Sequence, residues 1–167
     1  MKKSLVIVFI AVLVTISGTI SVAQTSADET AVKAVVTKLF KAMELGDSAM
    51  LKSTFHRPVT LVTIVKDKAG NAVLRPESSI DEFAKAVGTP HKEVWHEEIW
   101  DVKVQLDGDF AQVWCDYAFY IDKTFSHCGV DAFHLIKTKD GWKIFHLADT
   151  RRKNGCTVPR EISDKYK

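Results

Sequence analysis

Between residues 28 and 45 apolar side chains recur at spacings of one, three and four. Ala31, Val32, Val35, Val36, Leu39, Phe40 and Met43 form a single stripe, which predicts an amphipathic helix. Ser26 with Glu29 reads as a capping box, and Gly46 supplies the stop. Asp47 then caps a short second helix carrying Ala49, Met50 and Leu51. His56-Arg57-Pro58 ends it, because proline disfavours a helical residue before it. Val59 to Val65 is β-branched and reads as a strand, Asp67 to Asn71 as a turn, and Ala72 to Leu74 as the returning strand. Ser79 with Glu82 opens a third helix through Ile80, Phe83, Ala84 and Val87, which Gly88 and Pro90 stop. After that the period changes to two. Residues 94–106, 110–121, 127–137 and 142–151 read as strands, parted by Asp107-Gly108-Asp109, Asp122 to Ser126, and Lys139-Asp140-Gly141.

Two or three helices followed by a long antiparallel meander imply an α+β domain with its helices on one face of the sheet. A sheet curled over an amphipathic helix leaves a cavity at its open end, and a mixed apolar and polar lining there makes a ligand site.

The N-terminus carries a different pattern. Met1-Lys2-Lys3 is positive, Leu5 to Ile16 is apolar but for Thr15, and Ser21-Val22-Ala23 places small residues ahead of Gln24. This is the layout of a secretory signal peptide over residues 1–23, leaving 24–167 as a single domain. An uncleaved anchor needs about 20 apolar residues, and here that would have to include Thr15, Ser17, Gly18, Thr19 and Ser21. The expected location is periplasmic or secreted, with no membrane association after cleavage. The charge balance follows from it: without Lys2 and Lys3, 21 of the 23 basic side chains face all 21 acidic ones. A mature charge near zero lacks the footprint of a nucleic-acid binder.

The order helix, helix, short hairpin, helix, four long strands resembles the nuclear transport factor 2-like cone fold. The closing strand Gly141-Trp142-Lys143-Ile144 is similar to that superfamily's final strand. Phe125-Ser126-His127-Cys128-Gly129-Val130-Asp131-Ala132-Phe133, with Asp149-Thr150-Arg151-Arg152, resembles its putative lumazine-binding branch. The resemblance implies a cone-shaped roll of two to three N-terminal helices on a curved, mainly antiparallel sheet, and a homodimer formed through the sheet. It also implies a range of activities, since the superfamily holds isomerases, dehydratases, cyclases, hydrolases and non-enzymatic binding domains. The branch name implies a lumazine ligand. Fold analogy alone selects no reaction.

The three turns set an expected register in which facing residue numbers sum to about 216, 248 and 279 across the successive hairpins. One face then carries Trp95, Glu97, Ile99 and Asp101, with Tyr117, Phe119, His127, Gly129, Asp131, Phe133, His146, Ala148, Thr150 and Arg152. Tyr117 and Asp131 face each other in a central row. A carboxyl among Phe119, Phe133 and Ile99 is desolvated, its pKa rises, and it suits proton transfer. Tyr117 is placed to hold an oxyanion or a ligand carbonyl, with His127 or His146 as a second proton carrier and Gly129 leaving room for the ligand. The plainer alternative is that Tyr117 and Asp131 satisfy each other in a closed core, while His127 is merely solvated. The opposite face carries Trp100, Trp114, His134 and Phe145 with Glu98, Asp116, Asp149 and Arg151, which reads as a covered or dimerising surface with an Asp149–Arg151 salt bridge near Glu98.

Three cysteines in an exported chain invite a disulfide. Cys115 and Cys128 fall on opposite faces and about 17 Å apart along neighbouring strands. Cys128 faces the end of the last strand, where Asn154-Gly155 turns Cys156 back, so Cys128–Cys156 is the expected bridge. His91, His96, Glu97 and Glu98 are close in sequence, but strand alternation separates them. No His-Glu-x-x-His or Cys-x-x-Cys spacing exists, and neither a metal nor a cofactor is expected.

Three functions fit these residues. The first is an exported binding domain for a small apolar or aromatic molecule, lined by Trp95, Glu97, Tyr117, Phe119, His127, Asp131, Phe133 and His146. The second is a cofactor-independent isomerase, dehydratase or hydrolase using Asp131, Tyr117 and His127. The third is a dimeric interaction module with a closed cavity.

Overall fold

The computed structural model describes the backbone of residues 18–167, and side chains from Thr25 onward apart from Ser26. The apolar run Leu5–Ile16 of the expected signal peptide lies outside the described residues. Helix α1 spans Gly18–Leu45, so residue 26 is interior to it and the expected capping box at Ser26 starts no helix. Its stripe is the one the spacing predicts: Val32, Val36, Leu39, Phe40 and Met43 are buried, whereas Ala31 is exposed. Gly46 ends the helix at φ +66°, with its N–H and that of Asp47 returning to the carbonyls of Met43 and Ala42. Asp47 then caps α2 (Ser48–Ser53) by accepting from the Met50 amide at 2.8 Å. The reciprocal Ser79–Glu82 capping box opens α3 (Ile80–Gly88).

Six strands follow the expected order: β1 (Phe55–Lys66), β2 (Ala72–Pro76), β3 (Trp95–Asp107), β4 (Phe110–Ile121), β5 (Thr124–Thr138) and β6 (Gly141–Thr150). They form one sheet in the order β2-β1-β6-β5-β4-β3, antiparallel throughout except where β6 returns beside β1 in parallel. The fold is therefore α+β, with helices packed on a mixed, mostly antiparallel six-stranded sheet.

Helix α1 lies across the inner face. Phe40 meets Phe133 edge-on at 6.1 Å, in a core shared with Val32, Val36, Leu39, Val113, Leu135 and Ile144. Polar contacts anchor the helix at Asp28, which takes Lys137 Nζ at 2.7 Å and the Trp142 indole N–H at 3.2 Å. The C-terminal segment covers part of the outer face. Helix α4 (Arg160–Ser163) and the 3-10 turn Asp164–Tyr166 bury Ala118, Tyr120 and Cys128 beneath Ile162, and Tyr166 stacks on Tyr120 at 3.9 Å. Cys128–Cys156 is disulfide-bonded and ties this segment to β5, while Cys115 is a free, buried thiol. Glu98 belongs to the same corner, bonded to Tyr166 Oη at 2.7 Å and Lys165 Nζ at 2.9 Å, and so not to the expected Asp149–Arg151 pair.

Two bulges reset which residues face inward. In β3 the pairing steps from Trp100↔Asp116 to Lys103↔Trp114, with Asp101 at φ +49° and exposed. In β6 it steps from Leu135↔Ile144 to His134↔His146, so Phe145 and His146 both point outward, against His134. An extra residue flips every side chain beyond it to the other face. The expected inner positions Asp101, His146, Ala148, Thr150 and Arg152 are therefore wrong, and Leu147, Asp149 and Arg151 face inward instead. The β4–β5 turn is also tighter than expected, and a bulge at Ser126 follows it, so the pairs are Tyr117↔Gly129 and Cys115↔Asp131. Together the two make a shift that is even in number. It leaves the faces intact but moves Asp131 one pair away from Tyr117.

Candidate binding cavity

The open end of the cone holds a cavity of about 270 Å³. Leu39, Phe40 and Met43 of α1 and Phe83 and Ala86 of α3 form its apolar side, with Leu61 and Val62 of β1. The sheet supplies the rest: Trp95 and Glu97 from β3, Tyr117 and Phe119 from β4, His127 and Asp131 from β5, and Leu147, Asp149 and Arg151 from the end of β6. Glu77 and Ser78, just before α3, close one edge.

Six of the eight expected lining residues stand there: Trp95, Glu97, Tyr117, Phe119, His127 and Asp131. Two do not. Phe133 is fully buried in the core beneath the cavity, one pair further down β5, and His146 is on the outer face beyond the β6 bulge. Asp149, Arg151 and Glu77 are the polar lining that pattern reading missed. A signal existed for the first two. Inward apolar residues of β6 run Trp142, Ile144, Leu147, and that spacing of three betrays the bulge.

The polar groups fall into two sets. Arg151 donates through Nε to Asp149 Oδ2 at 2.6 Å and approaches Glu77 Oε1 at 3.4 Å. Tyr117 Oη donates to this set, lying 3.2 Å from Asp149 Oδ2 and 3.0 Å from the Thr150 carbonyl. Tyr117 thus pairs with Asp149 and not with the expected Asp131. The second set is Glu97 of β3 and Asp131 of β5, whose carboxyls interact across β4. Two neighbouring carboxyls resist ionising together. Burial, reinforced by the Asp149 charge, pushes Glu97 up to about 8. Burial and the neighbouring Glu97 raise Asp131 well above the usual carboxylate range. Asp131 is only 3% exposed, and its Oδ2 has no hydrogen-bond partner among the described residues. An unsatisfied buried acceptor costs about 1–3 kcal/mol, which favours the protonated carboxyl here.

His127 completes the rim. Its ring packs on Phe119 at 5.1 Å and edge-on to Tyr117 at 5.7 Å, with Nδ1 3.0 Å from Ser126 Oγ. Burial, with the nearby Arg151 charge, lowers its pKa, which keeps the imidazole neutral at physiological pH. Gly129 plays another part than the one expected. A Cβ there would meet the Thr150 carbonyl at 1.7 Å and the Tyr117 ring at 2.7 Å. The missing side chain lets β6 and Tyr117 close on β5, and it leaves no space for a ligand. Among the described residues no group of three His, Cys, Asp or Glu is arranged to hold a metal ion.

Comparison with known proteins agrees with this architecture. Residues 27–146 match the family model described as putative lumazine-binding, and the chain belongs to that family. Its fold is nuclear transport factor 2-like. A similar solved structure is a nuclear transport factor 2-like protein with a cystatin-like fold from Novosphingobium aromaticivorans, 11% identical, covering 90% of this chain and 97% of that one with a TM-score of 0.66. Others are a putative scytalone dehydratase from the same organism, 9% identical over 83% and 93% of the two chains with a TM-score of 0.60, and a putative dehydratase from Streptomyces avermitilis, 18% identical over 78% and 99% with a TM-score of 0.57. At these identities the likeness is one of fold. No curated protein matches the chain.

Proposed function

We propose that this protein is an exported small-molecule-binding domain whose cone cavity takes a flat, partly apolar ligand. The observation that carries the reading is the cavity of about 270 Å³ with the carboxyls of Glu97, Asp131 and Asp149 in its wall. A closed core would fill that space with apolar side chains, because buried carboxyls weaken the fold. Trp95 and Phe119, edge-on at 6.3 Å, with Phe40 and Phe83 opposite, suit an aromatic ring system. Membership of a putative lumazine-binding family supports a small planar ligand in the same place. The test is a native mass spectrum of the protein recovered from the exported fraction of an expressing bacterium. A noncovalent adduct released on denaturation, on a chain beginning at Gln24, is expected. A chain retained in the cytosol and without adduct would contradict both export and binding.

A second reading has its own support. Burial favours the protonated carboxyls of Glu97 and Asp131 beside the neutral imidazole of His127, which puts an acid and a base in one cavity. An enzyme of isomerase, dehydratase or hydrolase type would then use Asp131 as its acid/base group. Its sign would be exchange of solvent deuterium into a bound carbon acid, abolished in Asp131→Asn. Association through the uncovered part of the outer face is part of the same proposal. Phe110, Trp114 and Ile136 are exposed there, and light scattering should show a homodimer that Trp114→Glu converts to monomer.

A further inference from the structure

The reading above leaves open which polar group the ligand carries, and the mouth of the cavity bears on that. Arg151 stands there, just beyond β6, with 37% of its side chain exposed. A guanidinium holds five N–H donors, yet the only hydrogen-bond partner of this one among the described residues is Asp149, reached through Nε at 2.6 Å. Glu77 Oε1 lies 3.4 Å from Arg151 Nη2, but the hydrogen bond it accepts, at 3.3 Å, comes from Arg75. The Nη end of Arg151 therefore keeps donors to offer at the opening. Charge around it is mainly positive, since Arg75, Arg151 and the exposed Arg152 and Lys153 outnumber Glu77 and Asp149. The two lining carboxyls without a cationic partner, Glu97 and Asp131, are those that burial favours protonated. Across the sheet, β4 lies two strands from β6, which puts the aromatic wall of Phe119 and Trp95 about 10 Å or more from the Arg151 end.

Resting on the cavity as a ligand site, we infer that its ligand is an aromatic acid bound as the carboxylate, which the Nη groups of Arg151 hold at the mouth while the ring lies inward toward Phe119 and Trp95. Arginine presents a planar pair of donors that matches the two oxygens of a carboxylate, and a hydrogen bond between charged groups is about twice as strong as a neutral one. Glu77 competes for the same Nη2. It yields by staying with Arg75, and only its side chain need move, because its backbone N–H is fixed to the Leu61 carbonyl at 2.9 Å. Arg151 is thus the residue that selects the charge of the ligand.

Three probes on one ring system isolate the charge by calorimetry near neutral pH and at low salt. They are indole-2-carboxylate, indole-2-carboxamide and indole. The carboxylate should bind about tenfold or more tighter than the amide, which keeps the shape and loses the charge. Arg151→Gln should shrink that advantage to within about threefold. Arg151→Lys keeps a cation beside Asp149 if the first variant folds poorly, and by replacing the fork with a single ammonium it should cut the advantage by about threefold. Glu77→Gln removes the competing carboxylate and should tighten the acid by up to about fivefold. Ala86→Trp, at an exposed lining position of α3, obstructs the cavity and should abolish binding of every probe. A carboxylate no tighter than the amide, an advantage unchanged in both Arg151 variants, or carboxylate binding that survives Ala86→Trp overturns the inference. Should the amide or indole bind while the carboxylate does not, the inference falls and the cavity reading stands. Should none of the three bind, both fall.

Discussion

The inner face of the sheet is two surfaces joined end to end. Below the β3 and β6 bulges Val113, Phe133, Leu135 and Ile144 are fully buried against α1, and no polar side chain interrupts them. Above the bulges the same strands bury Tyr117, Asp131 and Asp149, one of them with a bare oxygen, around open space. The lower half maximises apolar contact, which is the main source of stability. The upper half gives up stability by burying carboxyls, and such a loss persists where a site has work to do. Bulges mark the border because a strand that must present apolar residues on one parity and polar ones on the other needs an extra residue between them.

The sharpest way to break this contrast is in the lower half. Phe133→Ala opens a void against Phe40 in a rigid core and should cost about 3–5 kcal/mol in equilibrium unfolding. A loss under 1 kcal/mol would mean that this half is no more tightly packed than the cavity. Next in size is the outer-face clasp. Replacing both Cys128 and Cys156 removes a link spanning 28 residues and should cost about 2–4 kcal/mol. The double variant should also unmask Tyr120 to solvent, readable by fluorescence quenching. A change of stability in the reduced wild type equal to none at all would contradict the role given to the C-terminal segment.

A smaller effect, confined to the upper half, depends on pH. The folded Glu97 titrates near 8, above its ordinary 4.5, because burial and the Asp149 charge disfavour the carboxylate. Its contribution to stability is therefore complete below 4.5 and disappears as pH rises through 8. Wild type should lose stability across that window, and Glu97→Gln should flatten the curve by removing the titrating group. An equal slope in the variant would assign the pH dependence elsewhere.

How much of this was legible in the sequence differs between the halves too. Helix stripes, the Ser79–Glu82 box, the four-strand meander and the Cys128–Cys156 link all follow from spacing and capping, which are local or nearly so. The strand parity of β4 and β5 was legible as well, and with it Tyr117, Phe119, His127 and Asp131 at the cavity. What period-two reasoning could not carry was the phase beyond a bulge. It put His146 inside and Asp149 and Arg151 outside, so the expected Asp149–Arg151 ion pair fell on the wrong face, away from Tyr117. Both bulges leave a mark, Ile99 to Val102 in β3 and Ile144 to Leu147 in β6, where inward apolar residues step by three. Glu77 and the parallel β1–β6 pairing left no such mark, since tertiary closure alone brings them to the site.

The central claim is that Asp131 is buried for a ligand and not for the fold. Equilibrium denaturation of Asp131→Leu at neutral pH, alongside a native mass spectrum of the variant recovered from the expressing bacterium, tests it most directly. An apolar side chain of comparable size removes a bare acceptor, so the variant should be within about 1 kcal/mol of wild type or more stable, with the noncovalent adduct lost. A loss of about 3 kcal/mol or more, with binding retained, would make Asp131 a structural residue and the cavity incidental.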